Sequence, residues 1–257
     1  MDVNTLWYLK AYLLFVLFNV SALVSVLIFH KKQWRIDLTQ YRHYTSLIFQ
    51  ICGIIYALFL SFIVWDVWER YYDVKRMIQD EATYIVDLYR DSTNFGDQGD
   101  QIRTEIEEYV YHVIKSEWRH MEAPGALRKG DQLINGIWRT YYDFTPTTEK
   151  ETIWYSESIR KLNELTNARL TRIFNNSNSV GLLRWILLIG GGLFLVSMPC
   201  FFKVDLLFFK IFLAFFLANI IAFMLFIIFS LDHPFTGYVE IHSTAFNYTL
   251  ETIQSWK

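Results

Sequence analysis

Apolar residues are gathered into four long blocks, at positions 6–29, 44–66, 182–202 and 206–231, with charge confined to their outer parts at Lys10, Asp66, Arg184 and Lys210. A bilayer core of about 30 Å takes about 20 helical residues to cross, so this pattern predicts four transmembrane helices. Lys210 can reach the headgroup region while its stem stays in the apolar layer. The first block exceeds the usual apolar core of a signal peptide and follows Met1-Asp2-Val3-Asn4-Thr5 without a basic stretch, so it reads as a true spanning helix. Trp7, Tyr8, Tyr12, Trp34, Tyr41, Tyr44, Trp65, Trp68 and Trp185 cluster at the block ends, where interfacial anchors are expected.

Between the second and third blocks the pattern becomes amphipathic. From Val67 to Arg90, residues such as Trp68, Tyr71, Ile78, Ala82 and Ile85 recur at helical spacing with no Gly or Pro between them. The second span is therefore expected to continue as one long helix. Turn formers follow over 91–100, then a helix on Ile102, Ile106, Val110 and Val113 that ends at Pro124-Gly125, then a third over 126–144. Thr145-Pro146 opens a fourth helix, with Thr148 and Glu151 placed as a capping box. No strand alternation competes with these assignments. The expected fold class is an all-α integral membrane protein, multi-pass in the cell (inner) membrane. It has four transmembrane helices, a helical extramembrane domain at 67–179 inserted between spans two and three, and a tail at 232–257 forming a turn and an amphipathic helix.

Composition narrows the function classes. The 257 residues are 53% hydrophobic and 18% aromatic, which calls for a lipid bilayer as partner. Twenty of the 26 acidic residues and fifteen of the 24 Lys and Arg lie between Asp66 and Ser179, so the middle is acidic and nucleic acid is not an expected partner. Cations in the two short loops, among them Lys32, Arg35 and Lys203, nearly balance those at the opposite ends, which include Arg70, Lys75, Arg76, Arg169, Arg172 and Arg184. The tally leans slightly toward an external domain.

The sequence carries no evident catalytic constellation. Glu117 and His120 have the Glu-x-x-His spacing of a carboxylate-bridged di-iron helix, but no second such pair exists, so a solvated helix face is the expected reading. No phosphate-binding loop, nucleophile elbow or zinc-protease motif occurs, and Cys52 and Cys200 both fall inside spans as small apolar side chains. No enzyme activity, metal or cofactor is expected. Gly190-Gly191-Gly192 reads as a site of close helix packing.

Two stripes on the spans carry information. On span two, Ser46, Gln50, Gly53, Ala57 and Ser61 make a small, polar face at helical spacing. Such a face either packs against another helix or lines a water-filled path through an oligomer. On span four, Phe208, Phe212, Phe215, Asn219, Ala222, Phe226 and Phe229 have the spacing of a packing seam. Asn19 and Asn219 both fall near mid-span, where an amide must face protein or water.

The fourth span exits through Leu231-Asp232-His233-Pro234-Phe235-Thr236-Gly237, in which Pro234 stops the helix and Gly237 permits a tight turn. This segment resembles the Asp-x-Pro-Phe-x-Gly exit of the bestrophin-like family of bacterial membrane proteins, and more distantly the Pro-Phe-Gly segment of bestrophin anion channels. Trp65-Asp66-Val67-Trp68-Glu69-Arg70-Tyr71 resembles the aromatic exit of the bestrophin pore helix. Glu81-Ala82 with Leu88-Tyr89-Arg90, Glu117-Trp118, and Leu162-Asn163-Glu164 with Ala168-Arg169-Leu170 are similar to other signatures of the bestrophin-like family. The resemblance marks Trp68, Tyr71, Glu81, Arg90, Glu117, Trp118, Arg169, Asp232, Pro234, Phe235 and Gly237 as structural motif residues. It implies a homo-oligomer around a pore, with span two nearest the axis and small anions as the permeant. Gln50, Ile54 and Leu58 are then candidates for a narrow neck, and the helical domain is cytoplasmic. Only Glu240 stands near the exit where bestrophins of animals hold calcium, so calcium gating is not implied. The expected function is an oligomeric anion channel lined by span two. The rival is a non-conducting membrane scaffold or sensor acting through the helical domain.

Overall fold

A computed structural model describes residues 3–31, 42–118, 124–177, 180–201 and 206–256. Trp34, Tyr41, Lys32, Arg35, Lys203 and His120 lie outside the described residues. Eight α-helices are described: α1 (Val3–Lys31), α2 (Arg42–Asp91), α3 (Gly96–His112), α4 (Pro124–Asp143), α5 (Glu149–Ser177), α6 (Leu182–Ser197), α7 (Leu207–Leu231) and α8 (Thr244–Gln254). Four of them contain stretches long and apolar enough to cross a membrane, in α1, α2, α6 with its extension to Cys200, and α7. As the unbroken periodicity requires, α2 is one helix of 50 residues.

The chain divides into two compact units, one comprising Met1–Tyr71 and Ser179–Glu240 and the other Tyr72–Asn178 and Ile241–Lys257. In the first unit α1, α6 and α7 pack around Phe18, Ala22, Val26, Leu188, Val196, Ala218 and Ile221. Small side chains set this packing. Ala214, Ala218 and Ala222 of α7 are buried, so two helix backbones can approach closely. On α6, a Cβ added to Gly191 would meet the Tyr56 ring at 2.8 Å, and one on Gly192 would meet Phe18 at 2.8 Å and Ile221 at 2.9 Å. Close packing at the triple glycine is thus met at two of its three positions.

The expected phenylalanine seam on α7 is only half present. Phe208, Phe212 and Phe215 are 82%, 52% and 53% exposed, while the alanine row turns inward. A bulky ring does not fit where the helices approach most closely, so volume rather than hydrophobicity chooses the buried face. The far end does pack, with Phe229 stacked on Trp7 at 5.4 Å and Phe226 edge-on to it at 5.9 Å. Trp7 is 4% exposed and belongs to this packing. The two mid-span amides find each other: Asn219 Nδ2 donates to Asn19 Oδ1 at 2.9 Å.

In the second unit the C-terminal part of α2 contributes Val74, Ile78, Ile85 and Leu88 to a core with Ile102, Ile106 and Val110 of α3, Ile137 and Tyr141 of α4, and Leu162 and Leu165 of α5. Helix α5 begins with the expected reciprocal cap, in which Glu151 N–H donates to Thr148 Oγ1 at 3.1 Å and Thr148 N–H to Glu151 Oε2 at 3.3 Å. Helix α8 belongs to this unit and buries Phe246, Thr249 and Ile253.

Candidate functional site

Helix α2 covers one side of itself and leaves the other open. In the first unit, Phe49, Cys52, Tyr56, Phe59, Ile63 and Val67 pack toward the core, and Tyr56 O–H donates to the Leu188 carbonyl at 2.9 Å. The predicted stripe lies on the other side. Gln50, Ala57 and Ser61 are exposed, Ser46 and Gly53 are half-buried at its margin, and a Cβ on Gly53 would meet nothing within 4 Å. Ile54 and Leu58 are 61% and 56% exposed. Only 11% of the α2 span is buried, against 22–33% of the other three, so α2 is the spanning helix that this chain covers least. An apolar step, Ile54 and Leu58, is thereby set between the polar side chains of Gln50 and Ser61. Farther along, Trp68 is half exposed and Tyr71 packs on the first unit's core.

The exit of α7 is an anchoring point. Asp232, 5% exposed, accepts the Val180 N–H on both carboxylate oxygens at 2.8 and 3.0 Å, and Arg70 lies 3.5 Å away. Burial pushes the Asp232 carboxyl above its ordinary value, and the Val180 N–H, His233 and Arg70 pull the other way. Arg70 also binds Asp66 at 2.8 Å, which in turn accepts Arg184 at 2.9 Å. Pro234 is buried and Phe235 half-buried. Gly237 has φ +93°, and any side chain there would overlap the Trp7 indole.

Most of the remaining motif residues meet in the second unit, where three fragments read separately from the sequence, at Glu81, Glu117-Trp118 and Arg169, converge. Arg172 is fully buried; its Nε donates to Glu81 Oε2 at 2.7 Å, and its Nη2 donates to Glu81 Oε1 at 3.0 Å and Glu117 Oε1 at 2.8 Å. Arg169 Nη2 donates to Glu117 Oε2 at 3.2 Å and to the Leu127 carbonyl at 3.0 Å, and its Nη1 to Asp131 at 2.6 Å. Tyr109 O–H donates to Glu81 at 2.7 Å. The Arg172 guanidinium lies 5.7 Å from the ring centres of both Trp118 and Phe246. Burial opposes the Arg172 charge, but Glu81 and Glu117 outweigh it and hold the group above its ordinary value. Burial first, then the Glu81 carboxylate, pushes the Tyr109 phenol well up, so it remains a donor. A Cβ on Gly130 would overlap Glu117 and Arg169, so only glycine leaves room for that pair.

These contacts correct two expectations. Glu117 is not on a solvated face; it is fully buried and committed to two arginines. Arg169 and Arg172 are not free surface charges, because both are buried and paired with carboxylates. Arg90 stays apart from the cluster, exposed and paired with Asp87 at 2.6 Å. Sequence reasoning missed Arg172, Tyr109 and Phe246. The available signal was that Arg169 and Arg172, three residues apart, share a helix face.

A family model described as the bestrophin-like domain matches residues 13–246. A comparison with curated proteins finds no match. Among solved structures, a bacterial bestrophin homolog from Klebsiella pneumoniae determined by Zn-SAD phasing aligns with a TM-score of 0.69 at 12% identity, covering 95% of this chain and 97% of that chain. Two single-residue variants described as a bacterial bestrophin homolog from the same organism each give a TM-score of 0.71. One is 14% identical, covering 95% of this chain and 99% of that chain, and the other 15% identical, covering 96% and 98%. The likeness is one of fold.

Proposed function

The chain belongs to the bestrophin-like family, and on that premise we propose that it is an anion channel formed by a homo-oligomer whose pore is lined by α2. In this reading residues 67–179 are an extramembrane helical domain inserted between spans two and three, joined by α8, and the oligomer sits in the cell (inner) membrane. The observation that carries it is the open face of α2. A spanning helix whose polar side chains Gln50 and Ser61 are exposed among the described residues needs water or another subunit opposite them. Copies of α2 around an axis supply both.

Ser46, Gln50, Gly53, Ile54, Ala57, Leu58 and Ser61 line the path. Amide and hydroxyl groups donate hydrogen bonds to a passing anion without trapping it as a fixed charge would. Ile54 and Leu58, about one turn apart, form an apolar constriction of the kind that closes by losing its water. The test is conductance of the purified oligomer in planar bilayers. Ile54→Ala is expected to raise unitary anion current several-fold by widening and wetting the constriction. A correctly folded oligomer that passes no current, with or without the substitution, overturns the proposal in favour of a scaffold or sensor.

A further inference from the structure

The open face of α2 continues past the apolar run. Trp65, Trp68, Tyr72, Lys75, Gln79 and Thr83 are all exposed and are spaced by three, four, three, four and four, which is one face of a single α-helix. Carboxylates avoid this row. Glu69, Asp73 and Asp80 each lie one residue beyond a member of it, hence about 100° round the helix.

The cations of α2 differ in their partners. Arg70 is held by Asp66 at 2.8 Å, Arg76 by Asp73 at 3.3 Å and Arg90 by Asp87 at 2.6 Å. Lys75 is exposed and, among the described residues, has no carboxylate within 4.0 Å. This face of α2 thus carries an ammonium that no described carboxylate pairs.

Resting on the reading that α2 lines the pore, we propose that Lys75 sets the sign of the permeant ion. One ammonium per subunit, repeated about the axis, makes a positive ring that concentrates anions and repels cations. The neighbouring arginines add little because each is neutralised by its carboxylate. A flexible, hydrated ammonium acts as a point charge rather than a shaped binding fork. The ring therefore selects small anions by sign and discriminates weakly among chloride, bromide and nitrate.

The experiment measures the chloride-to-potassium permeability ratio of the purified oligomer in planar bilayers under a potassium chloride gradient. Wild type, Lys75→Gln, Lys75→Glu, Arg76→Gln and Ile54→Ala are compared, each first shown to elute as the same oligomer. Lys75→Glu is expected to lower the ratio about tenfold and Lys75→Gln by less, while Arg76→Gln leaves it within twofold of wild type. The differences should shrink in about 1 M salt, where the screening length falls to about 3 Å. If Ile54→Ala changes conductance but Lys75→Glu leaves the ratio unchanged, the role of Lys75 is overturned while the α2 pore stands. An effect of Arg76→Gln equal to that of Lys75→Gln also overturns it, because net charge and not the row would then be responsible. If neither Ile54 nor Lys75 variants alter the current, or no current flows, both readings fall.

Discussion

The two units solve the same problem, holding several helices in one arrangement, by opposite means. In the first, α1, α6 and α7 meet through alanines and glycines, with Gly192 against Phe18 and Ala218 fully buried, and their polar contacts are sparse. In the second, Glu81, Tyr109, Glu117, Asp131, Arg169 and Arg172 join α2, α3 with the turn after it, α4 and α5 in one hydrogen-bonded cluster. Lipid tails are as apolar as leucine, so burying leucine against leucine gains little in a bilayer and close backbone approach has to serve instead. In water the apolar core forms readily but selects its partners loosely. A buried ion network adds selection, because any arrangement that separates the charges leaves them unpaired in the core.

Mutation should affect the two units unequally, most of all at Arg172. Arg172→Leu leaves the buried Glu81 with only the Tyr109 hydroxyl and Glu117 with only Arg169, and should cost about 3–5 kcal/mol, seen as a large fall in the thermal midpoint of the detergent-solubilised protein. Adding Glu81→Leu should recover part of the loss, since both members of a pair are then removed. No change on Arg172→Leu would mean that the cluster does not hold the unit together. Gly237→Ala adds a strained positive φ to an overlap with Trp7 and should cost about 2–4 kcal/mol, with faster proteolysis at the α7 exit as its local signature. The smallest effect belongs to the mid-span amides. A double-mutant cycle of Asn19→Leu and Asn219→Leu should give a coupling of about 0.6 kcal/mol, and a value several times larger would mean that polar contacts matter in the first unit as much as in the second.

Much of this architecture is legible in the sequence, for physical reasons that also explain the failures. The spans are legible because a bilayer demands about 20 apolar residues in a row, and the length of α2 because nothing in 44–91 interrupts a helical period. On an amphipathic helix such as α4 the period also tells which side is inside. On α7, where nearly every position is apolar, spacing carries no such information, so a regular row of phenylalanines looked like a seam while alanines of similar spacing did the packing. The charge cluster was harder still. Glu81 and Arg172 are 91 residues apart and Glu117 and Arg172 are 55 apart, and a lone arginine looks the same in sequence whether it is solvated or buried. Family-like motifs pointed at Glu81, Glu117, Trp118 and Arg169 one by one; their convergence and the central place of Arg172 required the fold.

The structure of the intact oligomer in lipid shows most directly whether the face of α2 bearing Gln50, Ile54 and Ser61 looks onto an ion path. In that structure α2 should be the helix nearest the symmetry axis, with Ile54 side chains from successive subunits forming a narrow apolar ring and water reaching Gln50 and Ser61 on either side. An oligomer in which Ile54 and Gln50 are packed against lipid or a neighbouring subunit, with no continuous aqueous path along α2, would contradict it.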